Sequence, residues 1–304
     1  MSNPILSFSA RRRMRSWRTP LLLTGYSLLL GLLAYVLVYA PFVQPTFTLS
    51  SMSYSVAGYM GIVALQFLLI ILVAPAMTAG SISGERERQT LDLLRVTNMG
   101  PVRLVMGTLM ESFAFLAILV LCSMPMLSLV LITGAATLGQ VLMSVVFLLT
   151  AALGALSVGL WCSSLFKRTV ASTVVSYLLV FAIGLLTLLP LVYDVRRIGE
   201  MYDALANAGT LAMVETLDYT PIAFVMNPGL GLFSLLESQT GLLSGQFLWQ
   251  ISYTLGNTGA MLDYARCAYG NMAVMAAASL VLIGLSVANM RLHRDGGGKG
   301  RKHA

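Results

Sequence analysis

Charged side chains are scarce in this 304-residue sequence, which is 57% hydrophobic and only 10% charged. The hydrophobic share exceeds the roughly 45–50% that is usual in globular domains. These proportions exclude a large soluble core and indicate one polytopic membrane domain over residues 1–304. Because basic residues beside membrane spans report orientation, the net charge of +7 does not indicate a nucleic-acid partner.

Histidine and cysteine are also rare. The two histidines, His293 and His303, stand near the C-terminus, which excludes an H-E-x-x-H site and histidine-based acid–base catalysis. The three cysteines lie in or beside apolar segments without a paired spacing, which indicates neither a disulfide framework nor a metal site. We therefore expect no catalytic residue and no metal in this chain.

A phosphate-binding loop is missing as well. The sequence GGGKG near the C-terminus has no glycine five residues before Gly298, and Gly300 stands after the lysine where serine or threonine is required. The chain thus lacks a nucleotide site of this class. The basic, glycine-rich segment 291–304 is predicted to be a disordered cytoplasmic tail.

Six apolar stretches are long enough to cross a hydrocarbon core, which requires about 20 residues. The third and fourth exceed this minimum, so they either tilt or extend beyond the lipid. The predicted fold class is therefore an all-α polytopic membrane protein with six transmembrane helices. The predicted spans are 21–40, 57–80, 105–133, 140–166, 170–193 and 271–290.

Basic residues indicate the orientation of these spans. If both termini are cytoplasmic, the inside segments hold 16 of the 19 Lys and Arg residues, and only Arg196, Arg197 and Arg266 lie outside. Because positive charge resists translocation, this distribution predicts that both termini are cytoplasmic.

The N-terminal segment 1–20 is predicted to be an amphipathic helix on the membrane surface. Its apolar residues recur at helical spacing, and its arginines occupy the remaining surface, facing anionic headgroups. Membrane lipids are therefore predicted partners. A signal-peptide n-region is the alternative, but the following apolar run exceeds the roughly 7–15 residues of a signal core and lacks an A-x-A cleavage site.

A long external segment, 194–270, is predicted to form an extracytoplasmic subdomain. Its apolar middle is interrupted by Asn227, Pro228 and Gly229. Proline and glycine break helices where protein or water satisfies the backbone, so this pattern predicts re-entrant or interfacial helices before the sixth span. Asn227 and Pro228 are candidate gate residues, and a structural cap is the open alternative.

The most densely charged run between spans is GERERQTLDLL, directly after the second span. Ser83 is placed to cap a helix whose first turn carries Glu85 and Glu87, where negative charge opposes the positive end of the helix dipole. The segment 81–100 is therefore predicted to be cytoplasmic and to hold a short charged helix.

This run resembles the signature of ABC-2 type transporter permeases, in which E-R-E-x-G-T-L-E-x-L-L follows the second span and a proline precedes the third. Asp92 replaces the glutamate, Gln89 replaces the usual glycine, and Pro101 is the later proline. The opening NPIL and the segment that begins at Ser163 are also similar, so the resemblance covers nearly the whole chain except the external segment. The matching residues are Glu85, Arg86, Glu87, Thr90, Leu91, Leu93 and Leu94.

The resemblance implies a permease subunit of an ABC exporter in the bacterial inner membrane. It implies pairing with a second permease, as a homodimer or heterodimer, and docking of the charged helix on a separate ATP-binding subunit. Because this chain lacks a phosphate loop, ATP is expected on that subunit, and the chain itself is not an enzyme. The residues expected to carry ATPase coupling are Glu85, Arg86, Glu87, Arg88, Thr90, Leu91 and Leu94.

Glu111 is a charged residue inside the third predicted span. It lies eight residues after Arg103, about 12 Å along a helix. A buried ionisable group in the membrane is a functional candidate. The spare length of the span also allows Glu111 to lie at the cytoplasmic interface, which is the interpretation that we favour.

Other classes of function remain open. A secondary transporter would show several charges at mid-membrane and repeated halves, whereas Glu111 is nearly alone. A membrane enzyme would gather carboxylates at one interface; the external acidic residues, among them Asp194, lack a recognisable spacing and are interpreted as a solvated surface. A membrane scaffold is the third alternative, and copurification with an ATPase distinguishes a permease from all three.

Overall fold

The computed structural model describes residues 18–39, 49–89, 100–207, 216–217, 220–241 and 261–299. Most of the predicted interfacial helix, 1–20, lies outside these ranges. The helices in chain order are α1 (Arg18–Ala34), α2 (Leu49–Ala79), α3 (Ser81–Glu87), α4 (Pro101–Leu121), α5 (Met124–Ile132), α6 (Leu138–Leu165), α7 (Thr169–Leu186), α8 (Leu189–Asn207), α9 (Ile222–Met226), α10 (Pro228–Thr240) and α11 (Tyr264–Lys299).

The chain is helical apart from two short strands in the described ranges. A π-helical turn, Tyr35–Tyr39, follows α1. The strands β1 (Thr216–Leu217) and β2 (Met261–Leu262) pair in parallel. α11 extends to Lys299, so the prediction of disorder is wrong for residues 291–299; once a helix has formed, each further ordered residue adds one hydrogen bond. Residues 300–304 lie outside the described residues.

Within the described residues, five helical stretches are long and apolar enough to cross a membrane, in agreement with five of the six predicted spans. The remaining prediction, the first span at 21–40, corresponds to a shorter apolar helix, Leu23–Leu37, whose fifteen residues extend about 22 Å. The five long stretches are Ser55–Glu87, Pro101–Ile132, Leu138–Leu165, Thr169–Asp194 and Tyr264–Arg291.

The second long stretch, Pro101–Ile132, is interrupted rather than continuous. α4 ends at Leu121, and α5 begins three residues later, at Met124, with Pro125 in its first turn. Proline has no backbone N–H and is accommodated at the start of a helix, where that donor would lack an intrahelical partner. Cys122 and Ser123 keep helical backbone angles, so the course of the stretch is maintained across the break.

α6 is the central helix of the bundle. It packs against α2, α4, α7 and α11. In its most apolar window, 61% of the residues are buried inside the protein, compared with 6% for the stretch that begins with α7. α6 is therefore surrounded by other helices, while α7 lies at the periphery and presents most of its apolar side chains outward.

Small residues allow α6 to approach α2 closely. A Cβ atom at Gly159 would overlap the hydroxyl oxygen of Thr78 and would lie 3.0 Å from the carbonyl oxygen of Pro75. Thr78 also donates a hydrogen bond of 2.9 Å to the carbonyl oxygen of Leu156. Close packing and interhelical hydrogen bonds of this kind stabilise helix pairs that gain little from hydrophobic burial in lipid.

Candidate functional site

The charged helix α3 is an extension of α2. α2 alone has 31 residues, about 46 Å, which already exceeds a hydrocarbon core of about 30 Å. Gly80 separates the two helices with helical backbone angles, φ −92° and ψ −3°. α3 and the residue after it carry Glu85, Arg86, Glu87 and Arg88. These four charges therefore lie at the C-terminal end of the long apolar stretch to which α2 belongs.

The predicted cap of this helix is wrong, and a serine from another helix takes its place. Ser83 lies inside α3, where its hydroxyl donates to the carbonyl oxygen of Ala79 at 2.8 Å. The hydroxyl oxygen of Ser163, in α6, accepts the backbone N–H groups of Ile82 and Ser83 at 2.9 and 3.0 Å. Because α3 continues from α2, no residue adopts the extended N-cap conformation, and the acceptor comes from outside the segment.

The turn after α3 occurs at the residue where the sequence departs from the permease signature. Gln89 has a φ of 58°, in the left-handed region that glycine enters without steric cost. The backbone therefore makes at Gln89 the kind of turn for which glycine is suited. The coupling candidates Thr90, Leu91 and Leu94 lie outside the described residues.

Glu87 joins the end of α3 to the beginning of α7. Its carboxylate accepts hydrogen bonds from the backbone N–H of Thr169 at 3.1 Å and from the Thr169 hydroxyl at 2.7 Å. These two bonds, assisted by Arg168 and Arg88 nearby, lower the pKa of Glu87 below its ordinary value. A carboxylate also interacts favourably with the positive end of the α7 dipole, so Glu87 acts as an N-cap from another helix.

A polar groove lies beside α3. Its volume is about 560 Å³, and Glu85, Glu87 and Arg88 contribute to its lining together with Thr169. Glu87 and Arg88 are exposed, whereas Glu85 and Arg86 are half-buried. Three of the four predicted coupling charges thus meet at one groove between α3 and the start of α7.

Glu111 is half-buried in α4. It lies ten residues after Pro101, the first residue of α4, which is about 15 Å along the helix. The groove beside α3 does not include it among its lining residues. Its depth in the membrane stays a prediction.

The predicted helix break around Asn227 is confirmed, since α9 ends at Met226 and α10 begins at Pro228. The Asn227 side-chain oxygen accepts the backbone N–H groups of Gly229 and Leu230 at 2.8 and 3.1 Å. Its amide nitrogen donates to the Gly184 carbonyl oxygen at 2.8 Å and to the Thr187 hydroxyl at 3.0 Å. Asn227 therefore caps α10 and ties the hairpin formed by α9 and α10 to the end of α7.

The hairpin is also fixed to α8 and α11. Asp194, in α8, is only 1% exposed and accepts the backbone N–H groups of Ile222 and Ala223 at 3.1 and 2.8 Å, so its predicted place in a solvated acidic surface is wrong. The Asn271 amide of α11 donates to the Asn227 carbonyl oxygen at 2.9 Å. A Cβ atom at Gly231 would overlap the Asn271 side chain, so glycine is required for this approach.

The other end of α10 contacts a polar cluster that sequence reasoning missed. The Tyr59 hydroxyl donates to the Gln239 side-chain oxygen at 2.8 Å and shares a hydrogen bond of 2.7 Å with Ser144. Gln140 donates to the Gln239 carbonyl oxygen at 2.7 Å. The motif TLGQ, which forms a capping box at the start of α6, could have drawn attention to Gln140.

An apolar cavity of about 510 Å³ lies between α6, α7 and α11. Two residues of α2, Phe67 and Ile71, contribute to its lining, and the Asn227–Leu230 turn closes one end. The cavity is remote from α3, because α7 contributes Val180, Ile183 and Gly184 to it and Thr169 to the groove.

Within the described residues, no group of three or more His, Cys, Asp or Glu side chains is placed to hold a metal ion. Cys122, Cys162 and Cys267 are free thiols. No protein-family model matches the chain, and no curated protein matches it. The functional interpretation therefore depends on the contacts described above.

Proposed function

We propose that the chain is the membrane-spanning permease subunit of an ATP-binding cassette exporter, driven by a separate ATPase subunit. The observation that carries this proposal is the attachment of α3. A short charged helix projects beyond α2, and side chains of α6 and α7 hold its two ends through Ser163 and Thr169. A partner that pushes α3 therefore acts directly on two long apolar helices.

The proposed topology has six spans, with α1 as the first, and cytoplasmic termini in the bacterial inner membrane. The basic residues of the sequence support this orientation, since positive charge is retained in the cytoplasm. α3 and its groove then face the cytoplasm, and the α9–α10 hairpin enters the membrane from outside.

The contacts of α10 with α6 support a re-entrant hairpin. At one end of α10, Gln239 meets Gln140 near the start of α6. At the other end, Pro228 lines the same cavity as Ala151, eleven residues and about 16 Å further along α6. α10 thus runs along the depth of the bundle instead of lying across its outer surface. Its backbone is satisfied there by protein groups, as lipid requires.

In the proposed mechanism, ATP-driven closure of two ATPase subunits displaces α3. The Glu87–Thr169 contact transmits the displacement to α7, whose other end is hydrogen-bonded to Asn227. α7 therefore connects the cytoplasmic groove to the external hairpin, which acts as the gate. The ATPase holds ATP, and a second permease, identical or different, completes the pathway.

Copurification tests the proposal. The chain is extracted from native membranes in mild detergent, and bound proteins are identified by mass spectrometry. We expect an ATPase that carries a G-x-x-x-x-G-K-[ST] loop. Arg88→Glu, which reverses an exposed charge in the groove, should weaken this association about tenfold, equivalent to about 1.4 kcal/mol. Arg291→Glu reverses an exposed charge at the end of the last apolar stretch, Tyr264–Arg291, and is the matched control.

One result contradicts the permease function, and a second contradicts docking at the groove. One is the absence of any ATP-binding chain from the extract while the protein remains folded. The other is an equal loss of ATPase association in Arg88→Glu and Arg291→Glu, which would show a general effect of charge instead of docking at the groove.

A further inference from the structure

The cavity between α6, α7 and α11 has the size of a ligand site. Its volume of about 510 Å³ lies within the range of about 300–1,000 Å³ that is usual for small-molecule pockets. Its walls are the middle of α6, from Ala151 to Val158, and the middle of α11, from Val274 to Leu282. The cavity is therefore at the depth of the apolar spans and away from their charged ends.

The lining offers no free polar group to a ligand. It contains no ionisable residue, and its three polar side chains are Ser157, Asn227 and Ser279. Ser157 donates to the Gly154 carbonyl oxygen and Ser279 to the Ala276 carbonyl oxygen, each at 2.7 Å. Asn227 uses both its amide nitrogen and its oxygen within the protein. A ligand in this cavity therefore meets hydrocarbon and hydrogen-bonded groups that are already paired.

Glycines create part of the space. A Cβ atom at Gly154 in α6 or at Gly184 in α7 would have no neighbouring atom within 4 Å. Both residues line the cavity, so larger side chains at these positions would extend into open space. These two glycines contrast with Gly159, whose missing side chain is needed for contact with α2.

Water is a poor occupant of such a space, because a buried water requires about two to four polar partners. A hydrogen-bonding cargo is also disfavoured, because its polar groups would be desolvated without compensation. A hydrocarbon chain has no polar groups to desolvate and needs no hydrogen-bond partners. Lipid hydrocarbon also surrounds the exposed faces of α7 and α11. We propose that this cavity binds one acyl chain of a bilayer phospholipid.

This inference is independent of the proposed transport function, because it requires no ATPase and no transported substrate. The bound acyl chain would pack against Pro228 and Leu230, which line the cavity at the beginning of α10. It would thereby fill the space between α6 and the Asn227–Leu230 turn and support the hairpin in the position described here.

Photo-crosslinking tests the site. The full chain is reconstituted in nanodiscs that contain a trace of phosphatidylcholine with a diazirine on one acyl chain, and labelled residues are mapped by peptide mass spectrometry. We expect labelling of Met275, which is 8% exposed and lines the cavity, as well as of Leu280, which is 70% exposed on the same helix. The ratio of Met275 to Leu280 labelling distinguishes an acyl chain bound in the cavity from the lipid that surrounds any membrane protein.

Filling the cavity should lower that ratio. Gly154→Leu in α6 and Gly184→Leu in α7 should each reduce it about tenfold, equivalent to about 1.4 kcal/mol. Gly284→Leu is the matched control, because Gly284 is an exposed position of α11 with no atom within 4 Å of its added Cβ and does not line the cavity.

The wild-type protein gives a second test that needs no variant. Excess hexadecane in the nanodisc should lower Met275 labelling while Leu280 labelling changes less. The proposal is overturned if wild-type Met275 is not labelled, if the filled variants and Gly284→Leu give the same ratio, or if hexadecane reduces both labels equally. Labelling by a diazirine fatty acid but not by the phospholipid would also overturn it, because the occupant would then be a free fatty acid.

Discussion

Replacing Ser163 with alanine tests whether α6 holds the charged helix. The Ser163 hydroxyl oxygen accepts the backbone N–H groups of Ile82 and Ser83, and the side chain is fully buried. In Ser163→Ala these two donors lose their acceptor and remain in a protein environment where water does not replace it. The first turn of α3 should therefore open more often.

The magnitude follows from the two bonds. Loss of an N-cap acceptor costs about 0.5–2 kcal/mol, and an unsatisfied buried donor costs about 1–3 kcal/mol. Because the two N–H groups share one oxygen, we expect α3 to lose about 1–2 kcal/mol of local stability, a factor of about 5–30 in its opening equilibrium. Global unfolding should change less, because α2 and α6 remain packed.

Hydrogen–deuterium exchange of the protein in nanodiscs measures this opening. The peptide that contains Ile82 and Ser83 should lose protection by that factor. Ser157→Ala is the control, because the Ser157 hydroxyl donates only to the Gly154 carbonyl oxygen in its own helix. Unchanged exchange at Ile82 and Ser83 in a folded Ser163→Ala protein would refute the assignment of Ser163 as the cap of α3.

Two further predictions concern the charged helix and the close approach of α2 and α6. Because the pKa of Glu87 is lowered in the folded protein, the stability that its carboxylate contributes is present above the ordinary glutamate pKa of about 4.3 and is lost as the pH falls through the lowered value. A carbon-detected NMR titration of Glu87 should give a midpoint below about 4.3, and Thr169→Val should raise that midpoint. An ordinary midpoint in the wild-type protein would contradict the contact. Gly159→Ala should destabilise the protein by about 1–3 kcal/mol, because the added methyl group overpacks against Thr78. Gly154→Ala is the control, because its added methyl group meets open space, and it should change the apparent Tm little. Equal melting temperatures of the two variants would be inconsistent with the contact between α2 and α6.

The hydrophobic pattern was sufficient to predict most of the long helices. Continuous apolar runs predicted five long helices that the structure contains, because a backbone in lipid must satisfy its hydrogen bonds within a helix. The helix break at Asn227 and Pro228 was also predictable, since proline lacks a donor and asparagine caps the helix that follows. These properties depend on residues that are neighbours in the chain.

The candidate site was predictable only in part. The charges of α3 identified the segment, but the sequence indicated Ser83 as its cap, whereas Ser163 supplies the acceptor. Asp194 likewise resembled a surface carboxylate and is instead buried against the start of α9. Side-chain hydrogen bonds between distant segments leave no periodic signal, so these assignments required the tertiary structure.

The sequence by itself determined which segments are apolar and where they break, because each of these properties is local. Tertiary structure alone decided that α6 is central, that Glu87 reaches Thr169 and that Gly154 and Gly184 face a common cavity. These features depend on how helices approach one another in space, which is set by side-chain shape and interhelical hydrogen bonding between residues far apart in the chain.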